Sequence, residues 1–301
     1  MVSGLMRPRS FGTHDGSFHA DEITACALLV IFDKIDLDKV VRTRDKRALD
    51  ECEYVCDVGG VYDTECKRFD HHQSEYRGEY SSAGMILKYL KEQRVIERRL
   101  YHHLNALLVK GVDAVDTGKA PPQLGHSTFS SIIANFVPIR YDAEPQTLRE
   151  AFFQALDFCI GHIKRLITRF YYIQEYRSEV KAEMSKNAKV MFFDRSMPWL
   201  ELFFELGGRT HPAIFIIMPT GDQWKLRAIP PTYEKRMQVR VPLPKEWAGL
   251  IDGELKEKSQ IPGAVFCHKG RFISVWETKE DAIKACEYVL RGEKGGNGHN
   301  F

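Results

Sequence analysis

The chain has 301 residues, 44% of them hydrophobic and 28% charged, with a formal net charge of +2. This is the composition of an ordinary globular protein long enough for two separate cores, and its near-neutral balance leaves any binding of polyanions to local patches. No apolar run reaches the ~18 residues of a membrane span and no secretory signal opens the chain, so a cytoplasmic protein without a membrane partner is expected.

In chain order, residues 9–13 read as a short strand ending at His14, and 21–33 as a helix with Ile23, Ala27, Leu28, Ile31 and Phe32 on one face. Residues 39–43 and 53–57 are β-rich, the second run closed by Gly59 and Gly60. Strands alternating with helices favour a parallel sheet, and ligands gather beyond the carboxyl ends of such strands. His14, Asp57 and Asp70 each follow an apolar or β-rich run, which places them on one rim. From Ser81 the pattern turns helical, over 82–90 and then from 97 to about 112, where Leu100, Leu104, Leu107 and Leu108 carry the apolar spacing; residues 113–118 close that helix. Pro121 and Pro122 start a loop, a short helix is expected at 127–136, and 147–186 reads as one extended helix. Strand character follows at 189–193, 213–218, 223–229, 264–268 and 271–275. A last helix spans 279–291 between Thr278 as N-cap and Gly292 as stop, before a glycine-rich tail expected to be disordered.

Chemistry concentrates in two segments, Phe69-Asp70-His71-His72 and the stretch from His14 to Glu22, which hold four of the eleven histidines. Adjacent imidazoles beside a carboxylate are costly to bury and well suited to a metal, and Asp57, Asp113 and Asp116 end other apolar runs. Aspartate with histidine suits borderline and hard divalent ions, whereas the seven cysteines show no C-x-x-C spacing and signal neither a zinc knuckle nor a disulfide framework. Two ions bridged by a carboxylate activate water toward phosphorus. The bland alternative is that His71 and His72 are surface residues and that Asp57 caps a turn.

Five segments together carry a resemblance. They are Gly12-Thr13-His14 through Asp21-Glu22, Asp57-Val58-Gly59-Gly60-Val61-Tyr62-Asp63, Phe69-Asp70-His71-His72, Ser81-Ser82-Ala83-Gly84 and Val112-Asp113-Ala114-Val115-Asp116 with Gly118. With Pro198-Trp199, Gly221-Asp222-Gln223-Trp224, Val241-Pro242-Leu243-Pro244 and Ile261-Pro262-Gly263-Ala264 from the second half, nearly the whole chain resembles the melanocyte-proliferating-gene (Myg) family of the DHH phosphoesterase superfamily. The resemblance implies a DHH-type α/β catalytic domain with a mainly parallel sheet over 1–140, a helical connector over 141–187, a smaller α+β substrate domain over 188–292 across a cleft, and a tail at 293–301. It implies two divalent ions, Mn2+ first and Mg2+, Zn2+ or Fe2+ as alternatives: one on His14, His19 and Asp57, the other on Asp21, Asp57, His71 and Asp113. His72 would face the scissile phosphate, Asp70 would orient an imidazole, and Ser81 and Ser82 would contact substrate. His19 stands where the superfamily usually has an aspartate, which makes one site richer in nitrogen.

Outside the centre, His268, Lys269 and Arg271 form either a basic turn able to meet a phosphate or a simple hairpin tip, and Arg165, Arg169 and Arg177 with Tyr171, Tyr172 and Tyr176 form either a nucleic-acid face or an ordinary solvated helix. His102 and His103 read as solvated or helix-packing residues, with one of them facing the metal rim as the alternative, and the four tryptophans as core or interface aromatics. The function that the resemblance implies is a 3′–5′ exonuclease acting on single-stranded RNA or short oligonucleotides. A nucleotide phosphatase or pyrophosphatase, or a non-catalytic metal-binding regulator, are the alternatives. The oligomeric state is open, a homodimer being one option.

Overall fold

The structure, a computed structural model, describes residues 6–121 and 123–295. Contacts divide the chain into two compact units after Phe170. The first contains β1 (Arg7–Thr13), α1 (Ala20–Ile31), β2 (Val40–Arg42), α2 (Lys46–Asp50), β3 (Cys52–Cys56), β4 (Tyr62–Asp63), β5 (Arg68–Phe69), α3 (Ser82–Glu92) and α4 (Arg98–Leu104). A π-helical segment, Asn105–Val109, joins α4 to α5 (Lys110–Asp116); α6 (Phe129–Ala134) and α7 (Pro145–Gln174) follow.

The first sheet runs β2-β1-β3-β5-β4 and is parallel except for the antiparallel edge strand β4. Its apolar runs are covered by α1 and α3, and Phe11, Ile23, Leu28, Phe69 and Phe152 are wholly buried. Each such side chain contributes about 1.5–3 kcal/mol by leaving water. α1 is buried on nearly every side, which explains its almost uninterrupted apolar sequence after Glu22. This core fixes the carboxyl edge from which the functional residues emerge.

The second unit holds α8 (Arg177–Ser185), β6 (Val190–Phe192), α9 (Leu200–Glu205), β7 (Phe215–Thr220), β8 (Gln223–Ala228), α10 (Asp252–Ser259), β9 (Ala264–Cys267), β10 (Ile273–Trp276) and α11 (Lys279–Gly295). Its sheet order is β6-β7-β8-β10-β9, with β6 parallel to β7 and the other neighbours antiparallel. The fold is thus mixed α/β, with two five-stranded sheets flanked by helices among the described residues.

The long helix expected at 147–186 is two helices, broken at Glu175 and Tyr176. Phe152, Leu156, Cys159 and Ile163 of α7 pack into the first unit's core, while Ile173 joins Val180 and Met184 in the second. The expected stop at Gly292 is not used, because α11 continues to Gly295, whereas Thr278 does cap its start, its Oγ1 accepting from Asp281 N at 3.1 Å. Of the expected tail, 296–301 lie outside the described residues. The short helices α9 and α10 carry no strong periodicity and escape a sequence-based expectation. All seven cysteines are free thiols, six of them buried, and no described helix is long and apolar enough to cross a membrane.

Candidate metal centre

His14, Asp57 and Asp70 stand immediately after β1, β3 and β5, three neighbouring parallel strands. The sheet register therefore delivers them to one edge. Asp57 adopts a left-handed backbone with φ of 58°, a conformation that Asp tolerates better than most residues, and its N–H donates to Phe69 O at 3.0 Å. The chain thereby bends sharply at the strand end and leaves the Asp57 carboxylate buried beside His14, whose Nε2 lies 3.2 Å from Asp57 Oδ2.

Among the described residues three groups form in which the donor atoms lie within 4.8 Å of one another: His14, His19, Glu22 and Asp57; Asp57, Asp70, His71 and His72; Asp21, His71 and Asp116. Asp57 belongs to the first two and His71 to the last two. His14 Nε2 also approaches Glu22 Oε1 at 3.2 Å, and both Glu22 oxygens accept from His19 N, at 2.9 and 3.0 Å. His71 Nε2 lies 3.1 Å from Asp116 Oδ2, with its Nδ1 4.0 Å from Asp21 Oδ2. Asp57 Oδ1 and His71 Nδ1 are buried without a hydrogen-bond partner, and both belong to these groups. Buried polar atoms are seldom left unsatisfied, so the donor set fits divalent cations.

Electrostatics agrees. Burial, then the charges of Asp57 and Asp116, pushes the Asp21 carboxyl well above the usual range, and burial lifts Asp113 to about 6. Burial opposes the charged form of His14, yet its hydrogen bonds to Asp57 and Glu22 prevail and raise it to about 10; the bond to Asp116 raises His71 to about 9. Protons here offset a crowd of carboxylates, and a divalent cation offsets the same charge while using the same lone pairs.

Asp70 is buried and holds His72: its Oδ1 faces His72 Nδ1 at 2.8 Å, while Oδ2 accepts from Gly60 N at 2.6 Å. Burial alone would raise the Asp70 pKa, but these donors hold it below the usual carboxylate range. The His72 ring stacks on His71 at 4.2 Å and, largely exposed, lines an open cavity of about 1190 Å³ with His14, His19, Asp57, Arg44 and His126.

Several expected residues have other places. Asp113 stays outside the three groups; its Oδ1 accepts from Ser81 N at 3.1 Å and Gly84 N at 3.0 Å, and Asp116, one turn later, approaches His71 instead. Ser81 and Ser82, expected at the substrate, are wholly buried. Ser81 Oγ sits 2.6 Å from Asp21 Oδ1 and 2.8 Å from Asp113 Oδ1, and Ser82 Oγ donates to Phe69 O at 2.7 Å, so the hydroxyls hold two carboxylates and a strand end. Glu22, which closes the stretch from His14 and carries no expected ligand role there, joins the first group as a donor. His268, Lys269 and Arg271 occupy the β9–β10 turn of the second unit, where His268 Nδ1 accepts from Gly270 N at 2.9 Å.

A profile described as uncharacterised protein family UPF0160 matches residues 10–290. The MYG1 protein of Chlamydia trachomatis serovar D is 50% identical, covering 95% of this chain and 98% of that relative. The MYG1 exonuclease of Homo sapiens is 31% identical over 96% of this chain and 87% of its own length. Among solved structures, RecJ of Thermus thermophilus in complex with Mn2+ has a TM-score of 0.29 and 12% identity; this chain spans about half of it, 52%. That likeness is too remote to bear on the chemistry. The profile match across most of the chain, with a relative half identical over nearly its whole length, shows that this protein belongs to the MYG1 family, UPF0160.

Proposed function

We propose that the protein is a two-metal phosphodiesterase, acting as a 3′–5′ exonuclease on single-stranded RNA or short oligonucleotides. The observation that carries this reading is the sharing of donors: Asp57 and His71 each belong to two of three adjoining groups, as two neighbouring ions require. His14, His19, Glu22 and Asp57 would hold one ion, and Asp21, Asp57, His71 and Asp116 the other, with Mn2+ the first choice and Mg2+, Zn2+ or Fe2+ alternatives. Bound there, the ions would supply an activated water and neutralise charge developing on the phosphate.

The chain's own groups do the rest. Asp70 accepts from His72 Nδ1, which fixes the ring and favours its imidazolium form, whose Nε2 proton can pass to the leaving oxygen. Arg44 lines the same cavity and offers a cation to a non-reacting phosphate. The cavity of about 1190 Å³ exceeds what pyrophosphate needs and suits the end of an oligonucleotide. The name exonuclease borne by the human relative supports the same substrate class.

The test is a Mn2+-supplemented assay on single-stranded RNA and DNA labelled at either end, on dinucleotides and on pyrophosphate, with Asp57→Asn and His72→Ala as controls. Stepwise release of mononucleotides from the 3′ end is the expected result. Turnover of pyrophosphate alone would overturn the exonuclease assignment, and no turnover of any phosphoester would overturn the enzymatic one.

A further inference from the structure

The sheet of the second unit has two unlike faces. One packs Ile217, Leu226, Cys267 and Trp276 into a core shared with α10 and α11. On the other, pairing across the strands aligns Met218, Lys225, Val275 and Phe266 in one row and Ile216, Arg227 and Ile273 in the next. At its β7 side this face is closed by Trp199, Leu202 and Phe203, which bury Ile216 and Met218. From β8 outward it is only partly covered, and there the sequence places two cations.

Lys225 and Arg227 point the same way from one strand, with Cα atoms roughly 7 Å apart. Among the described residues neither has a carboxylate partner; the Arg227 guanidinium lies 6.0 Å over the Trp199 ring. The charges that bear on them are cations, Arg227 on Lys225 and Arg236 on Arg227, and burial together with these neighbours holds both pKa values below their ordinary range. Partly desolvated like charges without a counter-ion burden the fold, so their presence calls for an anion from outside. Arg227 pairs with Ile273, the first residue of β10, so the basic positions continue into the turn that carries Lys269 and Arg271.

We infer that this face binds the backbone of single-stranded nucleic acid, Lys225 and Arg227 each meeting one phosphate and Phe266 offering its ring to a base. The spacing of the two cations along β8 is comparable to that of successive phosphates in an extended strand, and a basic row flanked by aromatic and aliphatic side chains is how sequence-tolerant single-strand binding is built. The inference rests on the nuclease reading and names where that substrate is gripped outside the metal centre.

The test uses the full chain with Lys225→Met and Arg227→Met, singly and together, since methionine keeps the apolar stem and removes the charge. Binding of a fluorescent single-stranded oligonucleotide is measured by anisotropy in EDTA across a salt series, beside thermal unfolding. The double variant is expected to bind ~10-fold or more weakly, with the salt slope reduced by about 1.4, or 0.7 for each lost phosphate contact. Its melting temperature is expected to hold or rise, because the fold is relieved of two uncompensated charges; a structural role predicts the opposite. Lys225→Arg should retain binding. Unchanged affinity and slope would overturn the inference, as would equal binding of a polyglutamate peptide weakened equally by the variants. Mn2+-dependent hydrolysis by the parent chain tests the metal centre separately, so its success beside unchanged binding would discard this face alone.

Discussion

Asp57 joins a left-handed backbone to a carboxylate shared by two donor groups, and these two properties separate cleanly by substitution. Asparagine is at home in the same conformation, so Asp57→Asn should fold like the parent while losing the bridging charge. Mn2+-dependent hydrolysis is expected to fall at least ~100-fold, corresponding to about 3 kcal/mol of transition-state stabilisation, with an unchanged far-ultraviolet circular dichroism spectrum. A folded Asp57→Asn variant of parental activity would remove Asp57 from the centre. The choice between Asp113 and Asp116 is open to the same treatment. Asp116→Asn should weaken Mn2+ binding directly, measured by calorimetric titration, because Asp116 faces His71. Asp113→Asn should mainly lower thermal stability, because a neutral amide oxygen accepts from Ser81 N and Gly84 N more weakly than a carboxylate does. Stronger loss of Mn2+ affinity in Asp113→Asn would reverse this assignment. The sequence could not make that choice, since two aspartates three apart share a helix face and the π-helical turn upstream shifts the phase on which a count of residues relies.

Among the elements, α3 does the most for the centre without supplying a proposed ligand. Its first turn presents Ser82 N and Ala83 N to Asp21 of α1, at 3.1 and 2.6 Å, and Gly84 N to Asp113 of α5. A helix N-terminus is a favourable place for negative charge, so two helices are docked through their carboxylates on a third. Gly84 is required there because a Cβ would overlap the Asp113 carboxylate. Gly84→Ala is therefore expected to cost about 1–3 kcal/mol by overpacking, seen as a lower denaturation midpoint and, through Asp113 and the neighbouring Asp21, as weaker Mn2+ affinity. Parental stability would show that α3 can shift freely. Much of this level was legible in advance. The rim of His14, Asp57 and Asp70 follows from β-rich runs that end in polar residues, and the helical stretch from 82 follows from its apolar spacing. The two-residue strands β4 and β5 are too short to leave a periodic signal, although β5 is what aims Asp70 and His71. The buried positions of Ser81 and Ser82 were not legible either, because a serine before a helix reads equally as cap, ligand or surface.

For the molecule as a whole, occupation of the centre is tied to protons. With His71 raised to about 9 and His14 to about 10, each imidazolium stabilises the metal-free fold fully below its unfolded value near 6.5, and that contribution is lost as pH rises through the folded values. Asp113, raised to about 6, acts with the same sign at lower pH: its protonated form favours the fold below about 4 and ceases to do so above 6. The metal-free protein should therefore lose stability between pH 6 and 9. A divalent ion must displace these same protons, so its affinity climbs over that interval. At a Mn2+ concentration ~100-fold above its dissociation constant, binding adds about 2.7 kcal/mol, which for a unit the size of residues 1–170, the one that carries the centre, corresponds to roughly 5–10 °C. The difference in melting temperature between Mn2+ and EDTA is accordingly expected to be larger at pH 8 than at pH 6, and Asp57→Asn to abolish it at both. A difference that shrinks as pH rises would mean that the ion does not compete with protons at His14 and His71, and the donor set would have to be sought elsewhere.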